Sequence, residues 1–168
     1  MEPLVHLIIP PLVLLAFIPK LRKLIFSLLI FSVIMDLDVF IPGAFHRILF
    51  HNLLFVLIVV LIIYFIFGGI HSIISGYYLI SHLILDLGAP GFSIFWPFYK
   101  NLVGIETVLL KTTTGVWTEK FGLVITPLSE FTNKINYSTY LSTTGTILAI
   151  LVCLGIILYL NKEKLIKK

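Results

Sequence analysis

Cysteine is nearly absent: Cys153 stands alone, so no disulfide framework can hold the chain. Charge is scarce as well. Only 12% of the 168 residues are Asp, Glu, Lys or Arg, against about 25% in an ordinary soluble domain. Of the eight acids just three are aspartates, Asp36, Asp38 and Asp86. There is no CxxC pair and no glycine-rich phosphate loop. Those absences exclude CxxC redox chemistry and a P-loop nucleotide site. No internal repeat or low-complexity tract is visible. A sequence pI near 9.2 is the one feature shared with nucleic-acid binders. The basic tail accounts for it, so no nucleic-acid partner is expected.

What fills the chain is apolar mass, 59% of residues with a mean hydropathy of +1.10. A bilayer core needs roughly 17–25 apolar residues per spanning helix. Runs near that length occur at Leu4–Pro19, at Leu24–Met35 continued by Leu37–Ile41, at Leu53–Ile70, at Ile70–Leu87 and at Thr146–Leu160. The expected fold is therefore all-α. It is a polytopic integral membrane protein of about five transmembrane helices, with an interfacial segment between helices 4 and 5. One membrane domain spans residues 1–168: a helical core over 1–100, an interfacial or external segment over 101–140, and a last helix with a basic tail over 141–168. The basic residues Lys20, Arg22 and Lys23 follow the first run rather than precede it, which favours a retained helix over a signal peptide.

Alternating passes put Lys20, Arg22, Lys23, Lys162, Lys164, Lys167 and Lys168 on one side, which the positive-inside rule makes cytoplasmic. The same trace carries His6, Asp36, Asp38, His46, Arg47, His51, His82 and Asp86 to the opposite, extracytoplasmic side. Between helices 4 and 5, Phe92, Phe95, Trp96, Phe98 and Tyr99 form an aromatic cluster suited to headgroup depth. Glu106–Thr126 reads either as a hairpin turning near Thr112–Gly115 or as an interfacial helix.

The spacing of the polar residues carries the chemistry. His82 and Asp86, four apart, share one helix face. They either bind one metal ion together, or the carboxylate orients the imidazole. Asp36 and Asp38 can face one site only if their helix ends there, and Pro42-Gly43 supports an ending. His46 and His51 pair as ligands if His46 lies in a loop and His51 begins the next helix. Arg47 can grip a phosphate or carboxylate with its planar fork. His6 matches the others in depth. His71, at the far end of its helix, stays outside the set.

Seven candidate metal ligands result: His6, Asp36, Asp38, His46, His51, His82 and Asp86. They exceed the needs of one zinc ion, so the cofactor expected is a divalent metal, zinc favoured, as one ion or two. Asp38 is the candidate general base and Arg47 the candidate substrate anchor.

The order Asp36-x-Asp38, His46-Arg47-x-x-x-His51, Gly76-Tyr77-x-x-x-Ser81-His82-x-x-x-Asp86-x-Gly88 and Trp96-Pro97-Phe98, with His6 ahead of it, resembles the YdjM-like family. Its members are described as metal-dependent hydrolases associated with the inner membrane. The resemblance covers roughly residues 1–100. It implies a divalent-metal hydrolase site built from His6, Asp36, Asp38, His46, Arg47, His51, His82 and Asp86. Met35 stands where that family often has proline before its first aspartate.

The expected function is thus a membrane-bound metal-dependent hydrolase. A metal-activated water would attack a phosphoester or lipid-linked substrate at the outer interface, with membrane lipids as partners. Alternatives are a metal-ion or proton transporter, a bis-histidine haem protein disfavoured by the nearby aspartates, and a non-catalytic scaffold with a structural metal.

Overall fold

In the computed structural model, residues 3–41, 47–88, 91–111 and 117–131 are described. Helix α1 (Pro3–Phe17) contains Pro10 and Pro11. Proline has no N–H, so the carbonyls of His6 and Leu7 lose their helical donors. The Tyr77 hydroxyl donates to the Pro10 carbonyl at 3.3 Å and ties this stretch to the opposing helix. Pro19 opens a short 3₁₀ turn, Pro19–Leu21, which leads into α2 (Arg22–Ser27).

The apolar run after α2 does not continue as one helix. It breaks at Leu28 and Val33 into two 3₁₀ segments, Leu29–Ser32 and Ile34–Phe40. Serine hydroxyls contribute to the break: Ser27 donates to the Leu24 carbonyl at 2.9 Å and Ser32 to the Leu29 carbonyl at 2.7 Å. Such local bonds compete with the backbone ladder.

Helices α3 (Leu53–Phe67) and α4 (Gly69–Leu85) form an antiparallel hairpin. Gly68, at φ 86°, makes the turn, a left-handed conformation that glycine adopts without steric cost. Gly76 lets the helices approach closely, since a Cβ there would press on Val60 at 3.2 Å. The Ser72 hydroxyl crosses the same seam to the Val60 carbonyl.

Two small apolar cores flank the hairpin. Met35, Val56, Leu79, Leu83 and Phe92 make one, and Ile25, Ile74 and Tyr78 the other. Beyond α4 the chain turns back along strand β1 (Asn101–Lys111). Gly91 lies so close to it that a Cβ would overlap the Val103 carbonyl. Strand β2 (Trp117–Pro127) pairs antiparallel with β1 from Asn101 opposite Pro127 to Lys111 opposite Trp117. A single turn, α5 (Leu128–Phe131), follows.

Three expectations are corrected. The fold is not all-α, because strands Asn101–Lys111 and Trp117–Pro127 pair antiparallel; of the two readings of that stretch the β one holds, while the turn expected near Thr112–Gly115 lies outside the described residues. Nor does the polytopic arrangement hold: no helix among the described residues is long and apolar enough to cross a membrane. Helices α1 and α3 have 15 residues each and α4 has 17. At 1.5 Å per residue these reach about 22–26 Å, short of the roughly 30 Å of a bilayer core. The physical reason lies in where the helices stop: α3 ends at Phe67 and α4 at Leu85, each short of its apolar run, and the 3₁₀ segments divide the second run. With the spanning helices goes the assignment of a cell-membrane location, of the site to an extracytoplasmic face and of the basic tail to a cytoplasmic one. The expected last helix, Thr146–Leu160, and the tail lie outside the described residues.

Candidate metal centre

The site is assembled from four places in the chain. Asp36 and Asp38 come from the second 3₁₀ segment, His51 from just before α3, and His82 and Asp86 from the end of α4. His6 comes from α1. Every one of these side chains is buried, His6, Asp38, His51 and His82 completely.

Asn52 sets the position of His51. Its side-chain oxygen accepts from the Phe55 N–H at 2.8 Å, capping α3, while its amide donates to the carbonyls of Ile48 and Leu49. His51 is thereby fixed at the mouth of the helix. On α4, His82 and Asp86 share a face as their spacing requires, with His82 Nε2 3.5 Å from Asp86 Oδ2.

The protons on the two central imidazoles follow from their partners. His82 Nδ1 lies 2.7 Å from the Ser32 carbonyl, which can only accept, so Nδ1 carries the hydrogen. His51 Nδ1 lies 3.1 Å from Asp38 Oδ2 and donates to it. Both Nε2 atoms then face inward, 3.1 Å apart. Two lone pairs cannot sit that close unless a positive charge, a proton or a metal ion, stands between them.

Two carboxylates complete the ring. Asp36 Oδ1 lies 3.7 Å from His51 Nε2 and 3.5 Å from His82 Nε2; Asp86 Oδ2 lies 3.3 Å and 3.5 Å from the same atoms. All four donor atoms fall within 4.8 Å of one another. A tetrahedral ion with N and O donors at about 2.0–2.2 Å sets them roughly 3.3–3.6 Å apart. The five separations above straddle that spacing. Asp36, His51, His82 and Asp86 can therefore bind a metal ion.

The electrostatics match. Burial opposes charge on His51, but Asp36, Asp38 and Asp86 outweigh it and raise its pKa to about 10. His82 is raised against the same burial cost by Asp36 and Asp86. Burial pushes the carboxyls of Asp36 and Asp86 upward, yet the histidines around them hold both well below the usual carboxylate range. Without a metal the pocket thus keeps a proton where the ion would sit, and metal binding must release it.

His6 behaves differently. Desolvation lowers its pKa despite Asp86. It stacks on His82 with ring centroids 3.8 Å apart and pairs Nε2 with Asp86 Oδ1 at 3.3 Å, while Nδ1 has no hydrogen-bond partner among the described residues. An unbonded buried polar group costs about 1–3 kcal/mol. The Asp36 Oδ2 oxygen is buried and unbonded as well.

Arg47 closes one side. Its φ of 70° is left-handed, unusual for a non-glycine residue. Two backbone bonds hold it there: its N–H donates to Asp38 Oδ2 at 3.2 Å, and its carbonyl accepts from the Ser93 N–H at 3.2 Å. The guanidinium donates to the Gly91 carbonyl at 3.4 Å and lies 3.7 Å from Asp86 Oδ1.

Of the residues singled out in the sequence, His6, Asp36, Asp38, Arg47, His51, His82 and Asp86 come together. His46 lies outside the described residues. Asp38 takes a place other than expected: it backs His51 at Nδ1, on the far side of the ring from the facing Nε2 atoms. His71 sits beside Phe67 near the start of α4. Ser32 and Asn52 were not foreseen. Asn52 carried a readable signal, a capping residue directly before an apolar run. Ser32 carried none, because it acts through its backbone carbonyl.

No protein-family model, curated protein or solved structure matches the chain.

Proposed function

We propose that the chain is a metal-dependent hydrolase acting on a phosphoester, with zinc at the centre of Asp36, His51, His82 and Asp86. The observation that carries the metal is the pair of inward Nε2 atoms, each fixed by a bond at its own Nδ1. Histidines that donate one nitrogen to a carboxylate or carbonyl and offer the other are the usual form of metal-ligating imidazole. Mixed imidazole and carboxylate donors at this spacing suit zinc. The motif resemblance to the YdjM-like family points to the same chemistry.

A divalent ion held by Asp36, His51, His82 and Asp86 would acidify a water and polarise the ester. Hydrolysis would join the water's oxygen to phosphorus, break the P–O bond to the alcohol and leave a proton on that alcohol. The chain's own groups do the rest. Arg47, partly exposed and held rigidly by its backbone, grips the anionic oxygens. Asp38 keeps His51 in the Nδ1–H tautomer and aims it.

One observation favours a second reading. Four protein donors complete a tetrahedral shell, as in structural zinc sites, whereas catalytic zinc keeps one position open. On that reading the ion only fastens the fold. The test is hydrolysis of p-nitrophenyl phosphate and bis(p-nitrophenyl) phosphate by the purified full chain, before and after chelation and zinc return. Zinc-dependent turnover that disappears in His82→Ala and shows a raised KM in Arg47→Ala supports the enzyme. Tightly held zinc with no turnover on either ester, and a melting temperature that falls on chelation, supports the scaffold.

A further inference from the structure

We infer that a second divalent cation binds beside the first, held by His6 Nε2, Asp86 Oδ1 and Asp36 Oδ2, with the two carboxylates bridging the pair. This inference rests on the reading of the first centre as a metal site.

The starting point is His6. It is wholly buried; among the described residues Nδ1 has no hydrogen-bond partner, and Nε2 meets only a carboxylate. An imidazole nitrogen facing a carboxylate is a place for a proton or a cation. Its Nε2 lies 3.3 Å from Asp86 Oδ1, a separation that two ligands of one small ion adopt.

The carboxylates point the same way. Asp86 turns Oδ2 toward His51 and His82, and Oδ1 toward His6. Asp36 likewise turns Oδ1 toward His51 and His82, while its buried Oδ2 lacks a hydrogen-bond partner. A carboxylate with one oxygen in each of two centres is the bridge of a two-metal site, whose ions sit about 3.5–4 Å apart. The parallel stack of His6 on His82, at 3.8 Å, matches that offset: each ring serves its own ion.

Charge gives the position its character. One divalent ion and Arg47 already balance Asp36, Asp38 and Asp86. A second ion makes the pocket net positive by two, and an anionic substrate restores neutrality. Arg47, 3.7 Å from Asp86 Oδ1, lies on that same flank. The second position has three protein donors, so it keeps a coordination place open. The open place on the His6 side therefore receives the phosphate oxygen, beside the ion of the four-donor centre.

The experiment is zinc stoichiometry on the full chain after chelation and dialysis against zinc with inorganic phosphate, measured by elemental analysis. Two ions per chain in wild type and one in His6→Gln support the inference. One ion in wild type, lost in His82→Ala, overturns it while leaving the first centre standing. Two ions retained in His6→Gln overturn the assignment of His6. No retained zinc in wild type overturns both centres. If His6→Gln fails to fold, manganese-loaded wild type decides: a spin-coupled resonance supports the bridge, and an isolated six-line signal overturns it.

Discussion

The two ends of the α3–α4 hairpin invert the usual distribution of side chains. At the end that carries His51, His82 and Asp86, ionisable groups are packed out of water. At the turn around Gly68, large apolar groups lie in the open: Phe65 is 80% exposed, Phe67 58% and Ile73 69%. Burying a polar group without a partner is costly, and exposing a single apolar side chain is common. The buried end therefore demands a specific explanation, and its mutual partnering supplies one. Sensitivity to substitution should follow that contrast.

The largest effect is expected at the ligands. Asp86→Ala should abolish tight zinc binding in equilibrium dialysis. It should also lower unfolding stability by about 3–5 kcal/mol in denaturant melts, because it strips the counter-charge from His51, His82 and Arg47. A stable, zinc-replete variant would break the comparison.

Next comes Asp38→Asn. The asparagine keeps the shape but loses the charge behind His51, so zinc affinity should fall by about 10–100-fold, as other supports of metal ligands do. Competition with a chromogenic chelator measures this. An unchanged affinity would mean that Asp38 serves Arg47 alone.

A smaller effect belongs to pH, read on the chelated protein. His51 is raised from 6.5 to about 10, so its stabilisation is complete below about pH 6.5 and disappears as pH climbs through 10. Asp36 and Asp86 are lowered from 3.8; their stabilisation is complete above that value and is lost as pH falls below it. His6, lowered from 6.5, opposes this by losing stability as pH falls below that value, so melting temperature against pH should peak near 6.5 and decline toward both pH 10 and pH below 4. A maximum near pH 9 would contradict the charge arrangement.

The smallest effect is expected at the turn. Phe65→Ser should leave zinc content unchanged and stability within about 0.5 kcal/mol, as surface substitutions usually do. A larger loss would show that this apolar end has a partner.

The sequence disclosed the site better than the scaffold. His82 and Asp86 were legible because four-residue spacing on a helix puts two side chains on one face, and both lie in apolar surroundings where each ionisable group calls for explanation. Arg47 and His51 were legible as ionisable groups beside the apolar run that follows them. The roles of the two aspartates were not: Asp36 and Asp38 meet opposite nitrogens of His51, and that depends on a 3₁₀ backbone which hydrophobic pattern does not announce. The scaffold misled because the length of an apolar run is not the length of a helix. The serine bonds at 27 and 32 accompany breaks in a run that hydropathy alone joins; the boundary at Gly68 was legible, but the helices on either side of it stop short of a bilayer's thickness.

The geometry of the His51–His82 pair has a bearing on how the chain folds. The two rings are 31 residues apart in sequence, and His82 reaches back 50 residues to Ser32. Closing such loops costs entropy before any contact rewards it. An ion that gathers these segments acts as a reversible cross-link, setting a topology that a chain with one cysteine cannot staple covalently.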